Sequence, residues 1–512
     1  MSEIKKIAKY SIFITILLVI SKLTGYIREF LIAVKFGATR ESDIFKIAST
    51  MPTVLFSCIA AALVTAFIPV FAGIKRDRQK ADEFFNNILN IILLICTFLA
   101  IIGIILSPQL TYLFASGFKG KDFYTTVYMT RILMPSIIFL GISGLYSGYL
   151  QSYNIFIQPT VAAIVANIII ILGIILFYKY GIISAIVATF IGAIAQAYTQ
   201  RPFMKGYKYK LYLNLKDKNV RKMLKLAVPT IISTAVSQIN LMVGRNFASN
   251  LSAGSISIYD YSYKINSIIN LVFITSITTV LYPSLTEKYA TEKYDEFKEM
   301  MLKSINLIII VAVPLILGVY ALSTPVVMLL LEHGKFDRNA TVATSLCLKY
   351  ISFSALGYSL IDIFSRIFYS TRDTVTPMIN GFVNVGINVV LIFILVPRLQ
   401  IKGLALSTTL STLIIATVMF IQITKKLKYN QYYKNLLTLV KAMLSGIIMA
   451  ILVSLSFKYM DNMIKGINAL LILKIIVSTV LGALIYSFML IILKVEEFKI
   501  IVDMLKRKKI GV

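Results

Sequence analysis

The sequence predicts an all-α polytopic membrane protein of about fourteen transmembrane helices. These fall into two six-helix lobes related by an internal repeat, plus two C-terminal helices. Three observations carry this reading. Of 512 residues, 58% are hydrophobic and only 15% charged, against about 25% charged in soluble domains. Mean hydropathy is +0.82, and apolar stretches recur from Ile7 almost to Leu493; only a bilayer lets that much apolar surface stay exposed. The chain also echoes itself across its longest polar interruption.

Helices are placed where apolar runs are bounded by Pro, Gly or charge clusters. The first, 7–34, follows Lys5, Lys6 and Lys9. It runs through Ile20 into a charged, Gly-containing segment with no small-residue cleavage site, so it is a retained helix and not a signal peptide. Next come 43–71, 84–107 (stopped by Ser107-Pro108), 125–150, 157–178 and 181–200 (opened by Gly181), completing an N-terminal lobe, 1–200. The stretch 201–222, RPFMKGYKYKLYLNLKDKNVRK, reads as a basic cytoplasmic linker. A C-terminal lobe, 223–424, holds 223–248, 255–285, 301–322, 342–369, 376–397 and 403–424. Spans 436–457 and 467–493 with the basic tail form an appendage, 425–512.

The repeat is carried by short matches in order. IPVFAG, DEFFNNILN, SPQLTYLFASGF, YLQSYNIFIQPTV and YGIISAIVATFIGA are echoed by YPSLTE, DEFKEMMLKSIN, STPVVMLLLEHGKF, FYSTRDTVTPMI and QIKGLALSTTLSTL. Pro69 pairs with Pro283, Asp82 with Asp295, Pro108 with Pro325 and Pro159 with Pro377. Two six-span repeats in one orientation suit a transporter that alternates access by rocking one lobe against the other.

Lysine and arginine outnumber acids 52 to 23, a net charge of +29. Loops on the N-terminal side carry 29 of the cations and the opposite loops 11, the asymmetry that the positive-inside rule expects of fourteen spans with both termini cytoplasmic. The basic excess is therefore topological, and nucleic acid is not an expected partner. Cys58, Cys96 and Cys347 lie far apart in apolar runs, and His333 is the one histidine, which excludes His-based triads and multi-histidine metal sites. No phosphate-binding Gly-rich loop is present. The chain reads as a transporter without chemical catalysis and without a cofactor, driven by a monovalent cation gradient (Na+ or H+), the membrane potential or consumption of its substrate on the far side.

Charges inside the predicted helices call for a cavity or a partner, at about 2.5–3.5 kcal/mol each on insertion scales. Asp43 with Lys46, Asp260 with Lys264 and Asp362 with Arg366 have the i,i+3 or i,i+4 spacing of same-face pairs, and Asp260, Asp362 and Arg366 are read as structural or gating groups. In SKLTGYIREF, Lys22, Arg28 and Glu29 surround Gly25; a bend there brings Lys22 and Arg28 toward one cavity and leaves positive charge sheltered from water, where phosphate is held strongly. Arg131 and Lys349 sit near helix entries and are weaker candidates. Asn240, Asn384 and Asn388 are neutral oxygen donors that could line a coupling-cation site or simply join helices.

The run SKLTGYIREFLIAVKFGATRESDIFKIASTMP, then FIPVF, LYPSL, LLEHGKFD, FYSTRDTVTPM and GLALSTTLST, resembles the MviN/MurJ family of bacterial lipid II flippases, within the wider multidrug/oligosaccharidyl-lipid/polysaccharide exporter superfamily. The resemblance spans essentially the whole chain. It implies two six-helix lobes about a cationic cavity, a lipid-tail groove formed by the last two spans, and movement of undecaprenyl-pyrophosphate-linked peptidoglycan precursor from inner to outer leaflet. It implies substrate contact by Lys22, Arg28 and Lys264, with Asp43 organising them or gating; membrane lipids and cell wall synthesis proteins are the expected neighbours. Lys22 and Lys264 stand where the family has arginine and lack its planar fork. In the second helix, Phe56, Ser57, Ala61 and Ala62 replace a basic pair and an acid-glycine step. A flippase for a teichoic-acid or capsular saccharide, a drug/cation antiporter of the same superfamily and a membrane glycosyltransferase are the alternatives.

Overall fold

The computed structural model describes residues 3–204, 207–269, 274–463 and 469–498, and every regular element among them is helical. By packing, the chain divides into two compact units, Met1–Ser257 with His333–Asp337, and Ile258–Glu332 with Arg338–Val512. The expected lobe division at 201–222 follows the sequence repeat; packing places the division later, because the seventh span lies against the second helix of the first unit.

The first unit contains α1 (Glu3–Phe36), α2 (Arg40–Ala62), α3 (Ile68–Ile74), α4 (Arg78–Ile105), α5 (Ser107–Phe114), α6 (Gly120–Leu133), α7 (Ser136–Ser152), α8 (Ile157–Phe177), α9 (Ile182–Tyr198) and α10 (Lys218–Ser249). Helix α11 (Ser255–Ile269) starts in the first unit and passes into the second at Ile258, followed there by α12 (Thr275–Ala290), α13 (Tyr294–Ala321), α14 (Ser323–Leu331), α15 (Arg338–Ser352), α16 (Ser354–Ser370), α17 (Val375–Leu399), α18 (Ile401–Lys426), α19 (Tyr432–Met463) and α20 (Ala469–Ile492). Caps set several starts. The Asp77 carboxylate accepts from the Lys80 N–H at 3.2 Å and opens α4, and Asp217 accepts from the N–H groups of Asn219 and Val220 at 2.7 and 3.1 Å and opens α10.

Helix lengths repeat with the sequence. Helices α4 and α13 are each 28 residues and are followed by the short α5 and α14, whose first turns carry Pro108 and Pro325, the pair matched in sequence. The predicted spans 125–150 and 342–369 are each broken in two, at Met134–Pro135 and at Phe353. Pro135 accounts for the first break. At the second, the hydroxyls of Ser352 and Ser354 donate to the carbonyls of Lys349 and Ile351 at 2.9 and 2.7 Å, competing with the helical ladder. The predicted span 43–71 is also divided: a π-helical turn, Leu63–Phe67, joins α2 to α3 and relieves the ladder just ahead of Pro69.

Twelve helical segments among the described residues are long and apolar enough to cross a membrane. Two of the fourteen expected spans lie outside that count. In α1, every eighteen-residue stretch from residue 13 onward holds at least three of Lys22, Arg28, Glu29 and Lys35. The expected span 255–285 falls partly on 270–273, outside the described residues. In the first unit the core gathers Phe67, Phe71, Phe84 and Phe85 against Tyr149 and Tyr207. In the second, Ile305, Ile309 and Val313 of α13 pack with Ile363 and Phe364 of α16 and with Ala442 and Met449 of α19. The thirteenth predicted span is thus seated on the core of its unit.

Candidate functional site

The polar centre of the first unit is built on α1, one turn beyond Gly25. The Arg28 guanidinium donates to the Asn167 side-chain oxygen on α8 at 2.9 Å and to Glu29 at 3.1 Å. The Asn167 amide donates back to the Thr24 hydroxyl at 3.2 Å and the Ser21 carbonyl at 3.5 Å, so α1 and α8 are joined by a two-way bridge. The second oxygen of Glu29 takes the Lys46 ammonium of α2, whose side chain is 4% exposed. Arg245 of α10 then donates to the Lys46 carbonyl at 2.6 Å and to the Thr50 hydroxyl. Cations from α1 and α2 therefore share one carboxylate, Glu29, and Arg245 of α10 anchors the stretch of α2 that carries Lys46. Arg28 keeps 31% of its side chain exposed, and Lys22, two turns earlier on α1, is exposed.

Three of these groups escaped sequence reasoning as site members: Asn167, Arg245 and Glu29 as the shared acid. Asn167 had a signal, being the one amide within the apolar run VAAIVANIIIILGIILF. The expected pairing of Asp43 with Lys46 does not form. Asp43 is fully buried; one of its oxygens accepts from the Gly254 N–H at 2.7 Å and the other from the Ser257 N–H and hydroxyl, both at 2.8 Å. At i,i+3 the two side chains share a face of α2, but the donors that open α11 take the carboxylate and Glu29 takes the ammonium. Asp43 is a tether between the start of α2 and the start of α11.

The second unit holds the other expected residues. Lys264, half-buried, lies one turn after Asp260 on α11. Asp362 and Arg366 form the expected pair on α16 at 3.4 Å; Asp362 also accepts from the Thr278 hydroxyl at 2.6 Å, and Arg366 lies over the Tyr282 ring at 5.8 Å. Asn384 and Asn388 sit one turn apart on α17, half-buried and buried, and Asn240 is half-buried on α10 in the first unit. Among the described residues no group of three His, Cys, Asp or Glu side chains could hold a metal ion. Arg131 donates to the Ser107 hydroxyl at 2.8 Å, and Lys349 lies over the Tyr320 ring at 5.8 Å; both are accounted for as packing contacts.

Each unit also carries an apolar cavity. In the first, about 470 Å³ is enclosed by α2, α4 and α10, with Cys58, Ile91 and Ile239 on its wall. In the second, about 400 Å³ lies among α13, α14, α19 and α20, bounded by Leu315, Val326, Ile475 and Tyr486. Both walls are predominantly apolar.

A family model described as lipid II flippase MurJ matches residues 32–495. A probable lipid II flippase MurJ of Buchnera aphidicola subsp. Schizaphis graminum is 29% identical over 416 residues, 79% of this chain and 81% of the relative. One of Rickettsia prowazekii is 26% identical over 499 residues, 95% and 98% of the two chains. Among solved structures, lipid II flippase MurJ in an inward closed conformation superposes with a TM-score of 0.80 at 24% identity, covering 94% of this chain and 100% of that one. An inward-facing multidrug resistance MATE family transporter of the MOP superfamily gives 0.68 at 14% identity, covering 79% and 94%. With the all-helical, multi-pass architecture and a match along nearly its whole length, the chain belongs to the lipid II flippase MurJ family.

Proposed function

We infer that this chain carries lipid II, the undecaprenyl-pyrophosphate-linked peptidoglycan precursor, from the cytoplasmic to the outer leaflet for cell wall synthesis. The observation that carries the reading is the family match over residues 32–495. The cation cluster supports it chemically. A bare pyrophosphate at the membrane midplane faces a Born cost of tens of kcal/mol. Arg28, held in place by Asn167 and Glu29 yet partly exposed, with Lys22 and Lys264, supplies the neutralising charge. Asp43 does not touch the headgroup in this scheme; it gates, by fixing the start of α11 to α2.

In this reading both termini are cytoplasmic, which the 29-to-11 division of loop cations supports. No bond in the substrate is made or broken: transport proceeds by alternating access, driven by a monovalent cation gradient or the membrane potential, with Asn240, Asn384 and Asn388 as neutral oxygen ligands. The polyprenyl tail rides in hydrocarbon along the α13, α14, α19 and α20 groove. A second reading, a flippase for another lipid-linked saccharide, is favoured by the apolar and small residues Phe56, Ser57, Ala61 and Ala62 on α2.

Depleting the protein in its host and measuring which lipid-linked precursor accumulates on the inner leaflet separates the two. Lipid II accumulation is expected; an unchanged lipid II distribution removes the first reading. Arg28→Ala should abolish complementation at normal expression, and retained activity would show Arg28 to be a structural charge.

A further inference from the structure

Helix α4 is apolar from Phe84 onward, yet it carries three buried asparagines in its first apolar turns, Asn86, Asn87 and Asn90. All three bond the segment that follows α9. The Asn86 oxygen accepts from the Lys210 N–H at 2.9 Å and the Tyr207 hydroxyl at 2.7 Å, and its amide donates to the Lys208 carbonyl at 3.4 Å. Asn90 donates to the carbonyls of Lys210 and Tyr212 at 3.2 and 3.0 Å and accepts from the Tyr209 hydroxyl at 2.7 Å. Asn87 and the backbone of Asn214 exchange two bonds, at 2.9 and 2.8 Å. The backbone groups engaged belong to residues 208, 210, 212 and 214, the alternation of an extended strand.

A carboxamide offers one acceptor and two donors, so each asparagine replaces a neighbouring strand as partner for this backbone. A loop in water needs no such partners, because water supplies them. Backbone at membrane depth does, and the asparagines sit where the helix has already turned apolar.

Beyond Tyr207 the odd-numbered side chains form an apolar row turned outward: Tyr209 is 51% exposed, Leu211 84%, Leu213 50% and Leu215 61%. Lys208 and Lys210 interleave with them, and Lys216, Lys218, Arg221 and Lys222 follow at once. The segment runs between two membrane spans, α9 and α10, so its row lies at the level where headgroups meet acyl chains. An apolar row flanked by cations fits an anionic lipid surface.

We propose that residues 207–215 are an interfacial strap, clamped to α4 by the three asparagines, that embeds Tyr209, Leu211, Leu213 and Leu215 in the leaflet it faces and is drawn there by anionic phospholipid. In the topology proposed above that leaflet is the cytoplasmic one. The strap is a lipid contact separate from the transport pathway, and it stands or falls independently of the substrate.

The chain has no tryptophan, so Leu211→Trp introduces a single fluorophore into the full-length protein. Reconstituted in nanodiscs of phosphatidylcholine and phosphatidylglycerol, the variant should show blue-shifted emission, strong quenching by lipid brominated near the headgroup end of its chains, and weak quenching by aqueous acrylamide. Leu213→Trp should report the same and covers the case in which the first variant fails to fold. Water-like emission with full acrylamide access overturns the proposal. So does blue-shifted emission that brominated lipid leaves unquenched, since that row would then be covered by protein. Pure phosphatidylcholine discs should weaken the lipid quenching, as should Lys208→Gln with Lys210→Gln in the mixed discs; no change in either overturns the role of anionic lipid.

Discussion

Replacing Asp43 by asparagine tests whether this residue is a tether. The carboxylate has two acceptor oxygens, and both are used, one by the Gly254 N–H and the other by the Ser257 N–H and hydroxyl. Asparagine keeps the oxygen that serves Ser257 and presents an N–H2 group to the Gly254 N–H, so a buried donor faces a donor. That unsatisfied pair costs about 1–3 kcal/mol, and the remaining bonds fall from charge-assisted to neutral, losing about 1 kcal/mol more. A total of about 3 kcal/mol should lower the apparent melting temperature by about 3–6 °C, the smaller figure if the whole chain unfolds together and the larger if its unit unfolds alone. The molecule carries its own reporter, because Cys96 and Cys347 are fully buried while Cys58 is half-buried. In detergent, a fluorogenic thiol dye labels Cys58 as a baseline and the other two on unfolding. Melting of Asp43→Asn within 1 °C of the parent protein would show that the three bonds contribute nothing, and the tether would have to be abandoned.

Three further outcomes are expected. Asn435→Ala should destabilise the second unit by about 1–3 kcal/mol in the same assay, since it removes the acceptor of the buried Tyr429 hydroxyl and the donor to Asn306, at 2.7 Å each. Gly403→Ala should cost about 1–3 kcal/mol: the new methyl would sit 2.5 Å from the Leu395 carbonyl oxygen, and backbone rather than a flexible side chain must give way. Asp373, between α16 and α17, feels partial desolvation that would raise its pKa, but Lys426 and the N–H and hydroxyl of Thr376 outweigh it and hold the carboxyl down to about 2. Because the folded value lies below the unfolded one, this group's stabilisation is full above about pH 4 and is lost as pH falls toward 2. Asp373→Asn should remove that part of the acid dependence, and an unchanged profile of melting temperature against pH would refute the assignment.

Hydropathy and punctuation made the membrane class, most of the spans and the repeat legible, because burial in lipid and proline placement are local properties of the chain. Same-face spacing found Asp362 with Arg366 for the same reason. It failed for Asp43, whose partners lie 211 and 214 residues away at Gly254 and Ser257, and periodicity within a helix carries no information about them. The Arg28 centre was half visible: α1 announced its cations, but Asn167 and Arg245 join through tertiary packing of α8 and α10. The stretch 201–222 shows the same limit. Its basic composition was plain, yet reading it as a polar interruption missed the row at Tyr209, Leu211, Leu213 and Leu215, since alternation over four positions is a weak signal beside fourteen long apolar runs.

The asparagines of α4 have a counterpart in the second repeat, and the comparison shows what polar residues at the start of an apolar helix are for. Helix α13 has the length of α4 and carries the buried Asn306 early in its apolar run. Asn306 accepts from Asn435 of α19 and donates to Glu497, beyond the end of α20, at 2.7 and 2.6 Å. A tyrosine completes each arrangement: Tyr207 bonds Asn86 and Tyr429 bonds Asn435, both at 2.7 Å. In the first unit the asparagines hold the chain as it leaves the sixth span; in the second they hold it as it enters the thirteenth and as it leaves the last. In both arrangements buried side-chain amides satisfy polar groups of a connecting segment that would otherwise be left unpaired. The asparagines of α4 and α13 thus secure connecting segments, whereas Arg28, Glu29 and Lys46 form an ion-paired centre joining α1 to α2, with Asn167 of α8 on Arg28.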